Sequence, residues 1–412
     1  MPNASIAYDV KSAPKPTPRV TTTKPMPKPT PWTAKPLEAT ASCTAPRLES
    51  LDEGAWTALR RRGLEALKIG EPVPILYVHV FKAGGTSICD VAKAVGRRVP
   101  EKGFDDGRHR VWGRDPNCNM PKGFFRDRAT QQATVLRLKG LQFVANELDG
   151  LAANGQMLLS PACAVWAISM RDPSKRFLSH FHALQRAYVS IYGAHHREIA
   201  NRMNSAKGLE QDLHIWRVAS ERDRVFTPAD LNVLDAIRVP STEPGAPSKI
   251  LPIHRVSAEE FVHFMRHEPK AAARAKSAPA LRGWVTGDFF VRHLAGGFVD
   301  ATDAPPEKLL ARARERLKAL FSVIIITDDL VSREDDPWRA LRAPLGWDAH
   351  AAVLNKTRVH ANAAGGASAA KPSNRVLADL RFINTMDHEL FDFARELVAN
   401  RTRTGGDGAG PS

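Results

Sequence analysis

The sequence predicts an α/β fold of three layers, with a central, mainly parallel sheet flanked by helices. Four short apolar runs, Pro74–Val80, Leu141–Ala145, Ala162–Met170 and Phe321–Thr327, read as strands. They are apolar nearly throughout rather than alternating, the pattern of strands covered on both faces. Helical spacing of apolar positions lies between and after them, and strands separated by helices favour parallel pairing.

In chain order, ten of the thirty prolines fall within the first 46 residues, interleaved with Lys, Thr and Ala. Proline removes amide donors and fixes φ, so residues 1–50 are expected to form a disordered arm or stalk. A folded domain is expected over 51–400, opening with a helix at Leu51–Leu67. Further helices are expected at Thr86–Val95, Ser174–Val189, Ala258–Arg266, Pro306–Leu320 and Leu377–Val398. Val239–Pro252 and Ala361–Asn374, rich in Pro, Gly, Ala and Ser, read as surface loops, and 401–412 as a flexible tail.

Composition narrows the function classes. Of the 412 residues, 59 are Lys or Arg against 44 Asp or Glu, a net charge of +15 that points to a polyanionic partner. An apolar fraction of 43% is enough to build a core. No run approaches the ~18 apolar residues of a spanning helix, and no apolar leader is legible. The four cysteines look too few and too scattered for a disulfide scaffold, and no Cys/His spacing points to a metal site.

The first chemical motif is His79-Val-Phe-Lys82-Ala83-Gly84-Gly85-Thr86-Ser87-Ile88. A strand runs into Lys, two glycines and two hydroxyl residues, and then into an amphipathic helix. Glycines let backbone amides converge on one anion, and the helix N-terminus adds partial positive charge. Thr86 and Ser87 can cap the helix and donate to the same anion, while Lys82 brings a full charge. Taken alone, an ordinary strand-to-helix turn explains the glycines equally well. The GxxxxGK[ST] pattern is absent because the lysine precedes the glycines. Phe321–Asp329 resembles an acidic, Mg²⁺-holding strand end, but capping of a following helix is the simpler account of Asp328 and Asp329.

The second motif is Ala164–Met170 followed by Arg171-Asp172-Pro173 and the helical SKRFLSHFHALQRAYV. Arg171 stands at a strand's carboxyl end, where open α/β sheets place ligands, and Ser179 lies about two helical turns on. Together they can hold a phosphate. Taken together, HVFKAGGTSI and AVWAISMRDPSKRFLSHF resemble the Golgi-type, PAPS-dependent carbohydrate sulfotransferases, the heparan- and chondroitin-like group. Gly287–Gly296, Ser322–Leu330, Leu345–Trp347 and Ile383–Phe391 look like later landmarks of that family, so the resemblance spans about residues 72–400. Phe81 and Ala83 depart from it, standing where Pro and Thr are common.

That resemblance implies a P-loop-like fold and sulfuryl transfer from 3′-phosphoadenosine 5′-phosphosulfate (PAPS), without a metal. By position, Lys82, Ala83, Gly84, Gly85, Thr86 and Ser87 form the 5′-phosphosulfate loop, and Arg171 and Ser179 clamp the 3′-phosphate. Lys82 then neutralises the leaving oxygen, and Glu147, just after the Leu141–Ala145 strand, is the candidate base. Glu147 also reads as the acidic opening of a helix. His79, His180 and His182 read as structural.

The acceptor is expected to be a carbohydrate, with nucleic acid unexpected because no such motif surfaces. Basic and aromatic residues between Phe104 and Arg128 are candidates to meet it. The resemblance places the protein in the Golgi lumen, with membrane attachment only through an anchor preceding this chain; Asn3, Asn355 and Asn400 open glycosylation triplets. The alternatives are a P-loop-like kinase or nucleotidase and a non-catalytic polyanion-binding protein.

Overall fold

The structure is a computed structural model and describes residues 43–80, 82–100, 118–121, 123–147, 151, 158–185, 237–239, 249–251, 253–267, 287–296, 304–332, 338–354 and 372–403. The first described helix, α1 (Glu53–Lys68), is capped by the Asp52 carboxylate, which accepts from the Ala55 amide at 2.7 Å. Strand β1 (Ile75–Val78) leads into α2 (Gly85–Ala94), and α3 (Ala129–Lys139) precedes β2 (Phe143–Asn146). Strand β3 (Val165–Met170) is followed by α4, helical over 173–185. Then come β4 (Ile237–Val239), β5 (Lys249–Leu251), α5 (Ala258–His267), α6 (Phe289–Ala295) and α7 (Pro306–Leu320). The last elements are β6 (Phe321–Ile326), α8 (Thr327–Ser332), α9 (Arg339–Leu345), α10 (Ala351–Leu354), α11 (Asn374–Ile383) and α12 (Thr385–Arg403).

The main sheet has the order β2-β1-β3-β6, and all three pairings are parallel. Its strands are buried at every position, as their unbroken apolar runs require. Successive side chains pass to opposite faces. Ile75, Tyr77, Val165 and Ala167 pack with α1, α2 and α9, while Leu76, Val78, Trp166 and Ile168 pack with α3, α6, α7 and α12. The chain is therefore an α/β protein with helices on both faces of a parallel sheet.

Several cations serve this packing, Arg60 and Arg316 among them fully buried. Helix α7 passes into β6 with no intervening loop, so its terminal carbonyls need outside donors. The guanidinium of Arg60 donates to the carbonyls of Lys318 (2.6 Å) and Ala319 (3.2 Å), and that of Arg401 to Phe321 (2.7 Å) and Lys318 (3.0 Å). Arg316 reaches the Leu294 carbonyl at 2.8 Å at the end of α6.

Four expectations are revised. The cysteines do pair, as Cys43–Cys163 and Cys89–Cys118, with Cα–Cα distances of 5.6 and 5.7 Å; partners 120 and 29 residues apart are brought together only by the folded sheet. Residues 43–50, read with the arm, pack on the domain: Ala45 donates to the Leu158 carbonyl and Ser160 to that of Cys43, both at 2.7 Å. The segment Val239–Pro252, read as a loop, contributes to an antiparallel β4–β5 pair. The helix expected over Leu377–Val398 is two helices broken at Asn384. Gly287 presses on that break, where any Cβ would collide with the Ile383 carbonyl. The remainder of the arm and residues 404–412 lie outside the described residues.

Candidate functional site

The chain leaves β1 toward β2 on one side of the sheet and leaves β3 toward β6 on the other. The crevice beyond the carboxyl ends of β1 and β3 is therefore the topological switch point, the place where such sheets bind ligands. Both sequence motifs end there.

After β1 the backbone turns sharply. Lys82 and Gly84 adopt left-handed conformations (φ 66° and 88°), and the Ala83 amide closes the turn onto the Val80 carbonyl at 3.0 Å. A left-handed lysine costs ~1–2 kcal/mol, so the surroundings must hold it. One support comes from the second motif, since Arg171 Nη1 donates to the Lys82 carbonyl at 3.2 Å. The turn leads directly into the N-terminus of α2, whose first-turn N–H groups and dipole favour an anionic group. Gly84 is the N-cap of α2, which places Thr86 and Ser87 inside the first turn rather than at the cap. Thr86 is half-buried and Ser87 fully buried.

Gly85 is required by what lies beneath it. A Cβ there would fall within the imidazole ring of His79. That ring is buried, stacks on Tyr77 with centroids 5.7 Å apart, and brings Nε2 to 3.6 Å from Glu147 Oε1. The other oxygen of Glu147 accepts from Asn119 Nδ2 at 3.1 Å. Glu147 stands directly after β2, next to the loop strand, with its side chain 11% exposed.

Around Arg171, Asp328 accepts from the Asp172 amide (3.0 Å) and from Lys175 Nζ (2.7 Å). These donors, with Arg171 nearby, hold its carboxyl below the ordinary range against the opposing effect of burial. Asp328 thus ties β6 to the β3–α4 turn, rather than only opening its own helix. Burial lowers the pKa of the Arg171 guanidinium, opposed by Asp328 and Asp172. Ser179 is half-buried on α4, the helix that Arg171 introduces.

Beneath α4 lies a polar layer that sequence reasoning did not find. Arg176 is fully buried over the ring of Phe289 at 4.6 Å, and burial lowers its pKa to about 10. His180 and His293 are buried and kept neutral, His180 by desolvation and then by Arg176 and Lys82, His293 down to about 3 by desolvation and then by His79 and Arg176. The Asp387 carboxylate accepts from the Phe290 and Val291 amides (3.0 and 2.9 Å), and the Asp288 carboxylate accepts from the Asp387 amide at 3.0 Å. Each acidic residue thus caps the helix that carries or follows the other. Asp288 and Asp387 stand in the Gly287–Gly296 and Ile383–Phe391 stretches picked out as landmarks, but nothing in the sequence pattern says that the two stretches meet.

Phe124 and Phe125, read as candidates to stack on an acceptor sugar, are 1% exposed, and Phe125 packs edge-on against Trp166. They belong to the core. Within that region 104–117 and Lys122 lie outside the described residues, as does Phe81. No metal-holding cluster of His, Cys, Asp and Glu occurs among the described residues. No family model matches this chain, and no curated protein does.

Proposed function

We propose that this chain is a PAPS-dependent sulfotransferase with a P-loop-like fold, transferring a sulfuryl group to a hydroxyl or amine of a carbohydrate. The observation that carries the reading is the hydrogen bond from Arg171 to the Lys82 carbonyl, which draws two anion-binding motifs into one crevice at the switch point. A donor with phosphate at both ends needs two cationic sites held at a fixed separation. The loop Lys82–Ser87 fits the phosphosulfate end, with its paired left-handed residues and helix N-terminus. Arg171 and Ser179 fit the 3′-phosphate end.

In this reading Glu147 takes the proton of the acceptor O–H as the acceptor oxygen bonds to sulfur in line. Lys82 neutralises the charge left on the 5′-phosphate oxygen when its bond to sulfur breaks and the electron pair stays with the phosphate. The protein mainly positions and neutralises, as in phosphoryl transfer. The two disulfides suit an oxidising compartment such as the Golgi lumen. Among the described residues, no helix is long and apolar enough to cross a membrane.

Thermal shift with 3′-phosphoadenosine 5′-phosphate (PAP), ATP with Mg²⁺ and GTP tests the donor. PAP is expected to stabilise the wild type and to lose its effect on Arg171→Ala. Lys82→Ala and Glu147→Gln are expected to abolish or slow ³⁵S transfer from PAPS, with Glu147→Gln still binding PAP. Stabilisation by ATP with Mg²⁺ alone sinks the proposal in favour of a kinase or nucleotidase. Silence toward all three nucleotides favours polyanion binding without catalysis.

A further inference from the structure

Glu147 is held by a segment far from it in sequence. Residues 118–120 extend the sheet beside β2: the Ala145 amide donates to the Cys118 carbonyl and the Met120 amide to the Ala145 carbonyl, both at 2.8 Å, with Asn119 in register opposite Ala145. This places the 4%-exposed Asn119 across from the end of β2, where its Nδ2 donates to Glu147 Oε2. The segment is fixed from its other side too. Cys118 has φ 58°, a left-handed conformation rare for a non-glycine residue, and is disulfide-bonded to Cys89 of α2, the helix that the loop opens. One short strand-like segment therefore links the loop helix to the carboxylate that follows the neighbouring strand.

We propose that Asn119 is the positioning residue of the base. Its amide fixes the plane of the Glu147 carboxylate and its distance from the loop, and the Cys89–Cys118 bridge holds Asn119 in register. The inference rests on the sulfotransferase reading, in which Glu147 receives the acceptor proton. A carboxylate bound at Oε2 by a buried donor, with Oε1 beside His79 Nε2, cannot rotate freely, so it meets the acceptor in one orientation. Losing the Asn119 amide is expected to cost turnover and to leave PAPS binding intact, because the hydrogen bond it removes is made to the proton acceptor Glu147.

The experiment uses the full chain, ³⁵S-PAPS, and a panel of heparosan, chondroitin and desulfated heparin. Asn119→Ala is expected to lower kcat about 10-fold to 100-fold, with the KM for PAPS and the thermal shift by PAP unchanged. Asn119→Asp, which keeps the shape but turns the donor into a carboxylate facing a carboxylate, is expected to lose at least as much; it also serves as the readout if the alanine variant folds poorly. In a Glu147→Gln background, Asn119→Ala is expected to change kcat less than about twofold, since the two groups act as one unit. Wild-type kcat in both Asn119 variants overturns the inference, as does a loss that multiplies unchanged onto Glu147→Gln. A wild-type chain that transfers no sulfate to any acceptor in the panel overturns the functional reading and this inference together. Activity in the wild type leaves the Asn119 variants to decide the inference by themselves.

Discussion

Gly85 supports the loop by having no side chain, and replacing it with alanine measures that support. The new Cβ would fall within the ring of His79, which is 3% exposed, stacked on Tyr77 and 3.6 Å from Glu147. A Cβ overlapping the ring atoms cannot be accommodated as they stand, so the loop or the imidazole must shift. Overpacking of this kind costs ~1–3 kcal/mol, and alanine recovers up to ~1 kcal/mol of helix propensity in the first turn of α2. The net cost is about 1–2 kcal/mol, or roughly 1–3 °C in Tm for a chain of this size. Scanning calorimetry on the wild type, Gly85→Ala, His79→Ala and the double variant checks this. Once the His79 ring is gone the methyl occupies the vacated space, so Gly85→Ala should become neutral or stabilising in that background. PAP binding should fall in Gly85→Ala and recover in part in the double variant. An equal Tm loss with and without the His79 ring would refute the proposed packing.

The disulfides and the buried acid make two further predictions. The Cys43–Cys163 and Cys89–Cys118 bridges close loops of 120 and 29 residues, for which loop entropy gives up to about 5 and 4 kcal/mol. Paired serine substitutions should lower the urea midpoint more for the longer loop, and reduction of the wild type should lower it further still; because one loop encloses the other, the two effects should not add fully. Burial and then Asp288 raise the Asp387 carboxyl to about 7, against the pull of Arg176. Its folded pKa lies above its unfolded one, so from about pH 4 to 7 this group alone lowers stability as pH rises, by up to ~1.4 kcal/mol per pH unit. His180 and His293 act in the opposite sense: their folded pKa values are depressed, so the stability they lend is present above pH 6.5 and lost as pH falls. Asp387→Asn should therefore steepen the loss of stability between pH 6.5 and 4.5 in denaturant titrations. An unchanged slope contradicts this account of the Asp387 site.

The parallel sheet was legible because a strand buried on both faces must be apolar at nearly every position, and Pro74–Val80, Ala162–Met170 and Phe321–Thr327 are. The boundaries of α7 were legible for a similar reason: Pro305 and Pro306 start it, and its apolar face keeps helical period to Leu320. The break at Asn384 was not legible, because the apolar pattern runs through it and the contacts made there are long-range, Gly287 lying against the Ile383 carbonyl and Asp387 capping α6. The cysteine pairs escaped for the same kind of reason. Spacing along the chain carries no information about residues that meet only after β1, β2 and β3 have assembled.

The same division runs through the candidate site. The loop Lys82–Ser87, Arg171 and Glu147 could be picked out from the sequence because each follows directly from a strand, and strand ends in a parallel sheet share one edge. That Arg171 holds the Lys82 carbonyl, that His79 fills the place of a Gly85 side chain, and that Asn119 holds Glu147 depend on sheet order and register. The charge divides likewise. The sequence gives a total of +15, but the fold decides that Arg60, Arg316 and Arg401 are committed to helix-terminal carbonyls and Arg176 to a buried aromatic stack. Local pattern determines which elements form and what their ends carry, because propensity and burial act residue by residue. Only tertiary structure decides which ends meet, because hydrogen bonds and packing act between residues that the chain keeps far apart.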